Sequence, residues 1–211
     1  MKEDFKRSDS GQARDFAVMG NDLSLNSVFQ ALLVFKSLIL YGLSTRQRPH
    51  QDYSDRRWIC ITFNLRIVTT TDMLGEPALE GVHTDGADHT MTTFLGSDNM
   101  QPNSCASALH TMAQETGIAH KIALSEHRVA VVQHRDLLDT LLIADNERKY
   151  SLSPLLAMEP NKRATRDVLI FFTRKPATKG HTCEYTDSKA TNQGLPMEIP
   201  LLWPDSNPCA P

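Results

Sequence analysis

The stretch Ile59-Cys60-Ile61-Thr62-Phe63-Asn64-Leu65-Arg66-Ile67 decides the fold class, because a large apolar side chain occupies every second position. A period of two is typical of a β-strand that turns one face toward a hydrophobic core. Many short segments of this kind, separated by turn residues, predict a mainly β protein, for which a double-stranded β-helix, or jelly roll, is the economical arrangement. The later predicted strands are Val82–Asp85, His89–Leu95, Val129–Val132, Thr140–Ala144 and Asp167–Thr173.

A helix is expected before these strands, ending near Tyr41. Ser24 or the pair Asn26-Ser27 offers a capping side chain at its start, and Gly42 offers the backbone freedom that ends a helix. One face of this helix is expected to be packed, since apolar residues recur along it at helical spacing. These residues are Val28, Leu32, Phe35 and Ile39.

The chain is expected to divide into three parts. Residues 1–22 are charged and polar and are expected to form a mobile leader. Residues 23–175 hold the helix and the strands and are expected to form the jelly-roll domain. Residues 176–211 combine prolines with little periodicity, which predicts an irregular tail.

Composition narrows the classes of function. A net charge of -3 and the lack of a long basic block give no electrostatic reason to expect a nucleic-acid partner. The four cysteines are scattered without metal-site spacing, which is typical of free thiols in a reducing compartment. No segment has the features of a secretory signal or a membrane span. We therefore expect a cytoplasmic protein.

His83 and Asp85 are the candidate metal ligands. An imidazole and a carboxylate two positions apart project to the same side of an extended strand. Together with a distant third ligand, such a pair can hold Fe(II) on one face and leave three positions open. The spacing recurs at His50-Gln51-Asp52 and His134-Arg135-Asp136, so it is the glycine-rich setting of residues 80–88 that distinguishes the first pair.

Three separated blocks carry a family resemblance by their order and spacing: residues 63–67 with residues 75–88, residues 139–155, and residues 165–172. With these blocks the chain is similar to the small 2-oxoglutarate- and Fe(II)-dependent dioxygenases that include bacterial L-isoleucine hydroxylase and fungal relatives acting on amino acids. The resemblance implies Fe(II) as cofactor, 2-oxoglutarate as co-substrate, and His83 and Asp85 as iron ligands. It also implies oxidation of a small-molecule substrate, an amino acid or an amino-acid-derived metabolite, in secondary metabolism.

Arg166 corresponds to the family's arginine that binds the distal carboxylate of 2-oxoglutarate. A guanidinium can donate two parallel hydrogen bonds to a carboxylate, and at the start of a strand it can point into the mouth of a barrel. A surface ion pair is the alternative interpretation of Arg166. Arg66 also matches a family arginine, and it can either meet a substrate carboxylate or be a solvated strand residue.

The sequence departs from the family at Tyr150, which stands where the second histidine ligand is expected. A neutral phenol is a poor ligand for Fe(II). Three explanations are open: a degenerate metal site, His89 as a substitute ligand, or an anionic Tyr150 as ligand, and water can also complete the site. Two functions follow, namely an active oxygenase or a non-catalytic jelly-roll protein that survives as a binding or accessory module.

Overall fold

A computed structural model describes residue 17, residues 19–78 and 80–181, residues 183, 184 and 187, and residues 198–200. Most of the expected leader and most of the expected tail lie outside these residues, and the predicted three-part division stays a prediction. The chain separates into two compact units: Thr45–Asp187 forms the body of one, and Asp15–Ser44 groups with the chain beyond Ser188 in the other, as far as these are described.

Two helices begin the described chain, α1 (Asn21–Ser24) and α2 (Ser27–Leu40). The predicted cap is confirmed, because the side-chain oxygen of Asn26 accepts a hydrogen bond from the Phe29 amide at 3.0 Å. The predicted packed face is right at Leu32, which is buried, and wrong at the exposed residues Val28, Phe35 and Ile39. Apolar residues occur on more than one side of this helix, so its periodicity does not reveal which stripe is covered. The buried residues are Phe29, Leu32, Lys36 and Leu40. Neither described helix is long and apolar enough to cross a bilayer.

The mainly β prediction is confirmed by two antiparallel sheets. The strands are β1 (Ile59–Thr69), β2 (His89–Asp98), β3 (Ser107–His110), β4 (Arg128–Val132), β5 (Thr140–Ala144), β6 (Lys149–Leu152) and β7 (Ala164–Arg174). In the first sheet the strand order is β1-β7-β2-β5, and in the second it is β4-β3-β6. Two short 3-10 turns, His120–Ile122 and Ser125–His127, precede β4.

One face of the first sheet is set by the register between β2 and β7. Thr92 of β2 pairs with Ile170, and Phe94 pairs with Val168. Since side chains alternate along a strand, Arg166 lies on the same face as Val168 and Phe94. A register shift between Phe94 and Gly96 follows at the end of this face.

The segment Val82–Asp85 is not a strand, so that prediction was wrong. It forms an isolated bridge in which the amides of His83 and Tyr150 each donate to the other residue's carbonyl at 3.0 Å. Gly81 precedes the bridge with a φ of 73°, and a Cβ there would lie 2.2 Å from the Ile118 carbonyl oxygen. Only glycine therefore fits at this position, and the chain turns sharply into the bridge.

A single carboxylate holds the next turn of this segment. Asp145 follows β5, is fully buried, and accepts hydrogen bonds from the amides of Asp85 at 2.9 Å, Gly86 at 3.0 Å and Ala87 at 3.2 Å. Arg48 donates to the same carboxylate at 2.9 Å. Burial and the charge of Asp85 raise the pKa of Asp145 to about 7, and the amide donors and Arg48 oppose that shift.

Replacing Asp145 with Asn should destabilise the fold strongly. The side-chain NH2 group of the asparagine would face the backbone N–H groups that now donate to the carboxylate. Arg48 would also lose its ion-pair partner. We expect Asp145→Asn to lower the free energy of unfolding by about 3 kcal/mol, as for other broken buried pairs. Urea unfolding followed by circular dichroism measures this change.

Asp167→Asn is the matched control for Asp145→Asn. It breaks the Arg66–Asp167 pair, in which the Arg66 side chain is 60% exposed, and exposed pairs add little stability. We expect its unfolding midpoint to stay close to that of the parent protein. Equal losses in the two variants would contradict the anchoring role of Asp145.

Candidate functional site

The imidazole of His83 presents one nitrogen to the interior. Its Nδ1 lies 2.8 Å from the Gly81 carbonyl oxygen, which can only accept, so Nδ1 carries the hydrogen. The other ring nitrogen, Nε2, faces two carboxylates, at 3.6 Å from Asp85 Oδ1 and 3.8 Å from Glu80 Oε1. A backbone carbonyl bound to the far nitrogen is the arrangement that orients histidine as a metal ligand.

Asp85 is held by its other oxygen. Its Oδ2 accepts hydrogen bonds from the Thr90 hydroxyl at 2.6 Å and from the Tyr150 hydroxyl at 2.5 Å. Burial raises the pKa of the Asp85 carboxyl, against the lowering effect of His83 and of these two hydroxyl groups. The remaining oxygen, Oδ1, lies 3.6 Å from His83 Nε2.

His83 and Asp85 therefore fit a divalent transition metal as a pair. Their imidazole nitrogen and carboxylate oxygen lie 3.6 Å apart, and both are ligand types that Fe(II) accepts. The pair has no ready-made third partner, because no group of three His, Cys, Asp or Glu side chains suited to a metal occurs in the described parts of the chain. The donor chemistry fits and the number of protein ligands is two.

Tyr150 occupies the position next to this pair, with its ring centroid 4.4 Å from that of His83. Burial, followed by the charges of Asp85 and Asp145, raises the pKa of Tyr150 well above its ordinary value. The phenol therefore keeps its proton and donates it to Asp85, which favours a neutral hydrogen-bond donor over an anionic ligand. The Tyr150 hydroxyl thus bonds to Oδ2 of Asp85 and leaves Oδ1 of that carboxylate for a metal.

His89 does not take the place of the missing ligand. It begins β2 and is adjacent to Thr90, whose side chain contacts Asp85, so the two side chains point to opposite faces of the strand. The His89 ring instead packs edge-on against Trp58, with centroids 6.0 Å apart. The substitute-ligand explanation is therefore wrong for this structure.

Arg166 is a buried cation without a carboxylate. Its residue is 3% exposed, and no Asp or Glu of the described chain lies within ion-pair distance of it. Its guanidinium carbon lies 5.8 Å from the centre of the Phe94 ring, and its Nη2 lies 3.2 Å from Nδ1 of His134. Burial lowers the pKa of Arg166, as expected for a cation removed from water. Such a group is suited to an anionic ligand.

The two halves of the site lie on one face of the first sheet. Thr90, which contacts Asp85, and Phe94, which contacts Arg166, are four residues apart in β2 and point to the same side. Four residues of a strand span about 13 Å, and the long side chain of Arg166 can shorten that distance. A molecule with an anionic group at one end can therefore lie between the two halves.

Arg66 lies on the other face of the same sheet. It forms a two-pronged ion pair with Asp167, at 2.6 and 2.8 Å, and its side chain is exposed. The expectation that Arg66 meets a substrate carboxylate is wrong for this structure, and the alternative of a solvated strand residue is confirmed. A surface ion pair was the alternative interpretation of Arg166, and in the structure it is Arg66 that forms such a pair.

Two cavities border the segment that carries His134. One has a volume of about 300 Å³ and includes His134 in its wall, and the other has a volume of about 520 Å³ and shares Gln133 and Arg135 with it. Neither cavity is lined by His83, Asp85 or Arg166.

Four residues of the site were missed by sequence reasoning: Glu80, Thr90, His134 and Asp145. Glu80, Thr90 and Asp145 contact the His83–Asp85 pair. His134 contacts Arg166. Only His134 carried a sequence signal, the His-x-Asp spacing, and that spacing pointed to a metal and not to an arginine. Glu80 appeared only as a neighbour of the ligand pair.

Comparison with known proteins identifies the relatives of this chain. The sequence profile of the 2OG-Fe dioxygenase family matches residues 1–172. The bifunctional enzyme flvA of Aspergillus flavus is 47% identical over 204 residues, which is 95% of this chain and 24% of flvA. The chain thus spans about a quarter of the length of that curated relative.

Solved structures agree on the fold. The Fe(II)/(alpha)ketoglutarate-dependent dioxygenase TqaL is 50% identical, with a TM-score of 0.72 over 80% of this chain and 61% of TqaL. IDO from Bacillus thuringiensis is 14% identical, with a TM-score of 0.62 over 80% of this chain and 66% of IDO, and shows the fold alone. The predicted jelly roll and the predicted family are confirmed, and the family's cofactor and co-substrate are Fe(II) and 2-oxoglutarate.

Changing Tyr150 should alter metal affinity in opposite directions depending on the new residue. Tyr150→His adds a nitrogen beside the His83–Asp85 pair and should tighten binding of Mn(II), used in place of Fe(II), by tenfold or more. This expectation takes the roughly 10- to 100-fold effect of outer partners of a metal as a lower bound for an added ligand. Isothermal titration calorimetry measures the dissociation constant.

Tyr150→Phe is the control, because it removes the hydrogen bond to Asp85 without adding a ligand. We expect it to weaken Mn(II) binding. If the His and Phe variants change the affinity in the same direction, Tyr150 does not stand in a ligand position.

Proposed function

The chain belongs to the 2OG-Fe dioxygenase family, and on that premise we propose that it oxidises a small amino acid or an amino-acid-derived metabolite with O2 and 2-oxoglutarate. His83 and Asp85 would hold Fe(II), and Arg166 would bind the distal carboxylate of 2-oxoglutarate. We place this reaction in secondary metabolism, since the chain is similar along most of its length to a fungal bifunctional enzyme and to TqaL.

The observation that carries this proposal is the state of Arg166. A guanidinium that is 3% exposed and lacks a carboxylate within the described chain is costly to bury unless a ligand supplies the anion. It lies on the same sheet face as the residue that contacts Asp85. A dicarboxylic 2-oxo acid has one carboxylate for Arg166 and a 2-oxo acid group for the metal end.

Each residue has a separate role in this reaction. Fe(II), when bound, supplies the centre at which O2 is reduced while 2-oxoglutarate loses CO2 and becomes succinate. His83 and Asp85 contribute two ligands, while Thr90 and Tyr150 fix which oxygen of Asp85 is available. Arg166 orients the co-substrate by a forked pair of hydrogen bonds. The buried setting of Asp85 and Arg166 keeps water away from both ends.

The substrate and setting follow from the family and the composition. We propose a small-molecule substrate, a cytoplasmic location and no nucleic-acid partner. The net charge of -3 and the scattered cysteines support the last two.

A second candidate function is favoured by one observation, the protonated Tyr150 in the place of a ligand. A site with only two protein ligands can lose its metal and keep its anion-binding half. We then propose a non-catalytic jelly-roll protein that binds a dicarboxylic 2-oxo acid. Succinate release separates the two functions: the enzyme forms succinate from 2-oxoglutarate when Fe(II) and O2 are present, and the binding protein does not.

The experiment for the enzyme is an anaerobic loading of the protein with Fe(II), followed by 2-oxoglutarate, a panel of amino acids and O2. We expect succinate release that rises with at least one member of the panel and is lost in His83→Ala. Succinate formation that is unchanged in His83→Ala would contradict the metal role of His83.

Replacing Arg166 should weaken co-substrate binding without altering the metal site. Arg166→Met removes the forked hydrogen bonds and should raise the dissociation constant of 2-oxoglutarate by about 100-fold in the Mn(II)-loaded protein. Arg66→Met is the control, since Arg66 lies on the opposite face, and should leave that constant unchanged. Equal behaviour of the two variants would contradict the assignment of Arg166.

A further inference from the structure

We propose that His134 is a positioning residue for Arg166, one that orients its guanidinium and thereby selects 2-oxo acids with a second carboxylate. The inference rests on the proposed function, because it concerns the ligand of Arg166. It adds a residue from outside the three sequence blocks that carry the family resemblance.

The hydrogen bonds of His134 define its tautomer. Nε2 lies 3.2 Å from the carbonyl oxygen of Thr92 and 3.3 Å from the Thr92 hydroxyl. The carbonyl can only accept, so Nε2 carries the hydrogen and Nδ1 has a lone pair. That lone pair accepts a hydrogen bond from Nη2 of Arg166 at 3.2 Å. The imidazole thus connects the backbone of β2 to the guanidinium.

Both partners of this contact are buried, each with 3% exposure. Burial, and next the charge of Arg166, lower the pKa of His134, so its imidazole stays neutral at pH 7 and can accept. A neutral partner orients the arginine without neutralising it. The positive charge therefore remains for a ligand, whereas an Asp or Glu at this position would consume it.

The position of the guanidinium is fixed from two sides. The Phe94 ring covers it at 5.8 Å, and His134 uses one of its five N–H groups. The other four N–H groups remain in the same plane, and two parallel ones suit a carboxylate. Without His134, the long side chain can rotate and the fork loses its orientation, which weakens the selection of a distal carboxylate.

The experiment compares two ligands of the Mn(II)-loaded protein by calorimetry. 2-Oxoglutarate has the distal carboxylate, and 2-oxopentanoate has the same carbon chain without it. We expect His134→Leu to weaken 2-oxoglutarate binding by about tenfold, the loss of one hydrogen bond to a charged group, and to leave 2-oxopentanoate binding unchanged. An equal loss for both ligands would indicate a merely structural role and overturn the proposal.

Two amide variants keep the test valid if the leucine variant does not fold. His134→Asn places an amide oxygen near the position of Nδ1, where it can accept from Arg166, and should recover most of the affinity. His134→Gln reaches toward Thr92 and should not recover it. A better recovery by the glutamine variant would contradict an action through Arg166.

A double-mutant cycle separates this inference from the proposed function. In an Arg166→Met background, His134→Leu should add no further loss of 2-oxoglutarate affinity, because its effect runs through the arginine. Additive losses would overturn the role of His134 alone. If Arg166→Met itself leaves the affinity unchanged, the proposed function fails first. His127→Leu, on a histidine away from this contact, controls for loss of an imidazole.

Discussion

The site depends on one buried carboxylate, that of Asp145. It accepts hydrogen bonds from three consecutive amides of residues 85–87 and from the guanidinium of Arg48. The segment that carries His83 and Asp85 therefore keeps an irregular path without leaving buried amides unpaired. A β-strand at this place would have used the same amides in a ladder. The candidate ligands can lie in a turn because the Asp145 carboxylate supplies the hydrogen-bond acceptors that the amides of this turn need.

The two ends of the site carry buried charges of opposite sign. At the metal end, Asp85 and Asp145 are acids close to one another, and burial raises the pKa of both. A divalent cation would offset this excess of negative charge. At the other end, Arg166 is a cation without an acid in the described chain. An anion would offset that excess. The charges of the two ends thus match a metal ion and a carboxylate ligand, and the ends lie too far apart along β2 to neutralise each other.

Periodicity predicted the long elements and failed for the short ones. The alternation of residues 59–67 and the cap at Asn26 predicted β1 and α2 well, because each signal is local. Strands β3 and β6 were missed, since four residues with polar members at His110 and Lys149 give no clear period, and their pairing is long-range. The pair His83 and Asp85 was found from spacing, and Arg166 from the family resemblance. Asp145 and His134 act through partners that are distant in sequence, so no motif could predict them. Thr90 lies five residues from Asp85, but its contact depends on the turn between them and not on a recognisable spacing.

The two ends of the site are held by separate contacts, and this has a consequence for Tyr150. The phenol contacts Asp85 and His83, whereas the guanidinium of Arg166 is held by Phe94 and His134. The stretch of β2 from Thr90 to Phe94 connects the two ends. In the proposed site, a tyrosine in place of a ligand histidine would therefore act on metal affinity and leave the anion end as it is. Metal retention and co-substrate recognition would then be separable, and co-substrate recognition would persist where metal retention is weak.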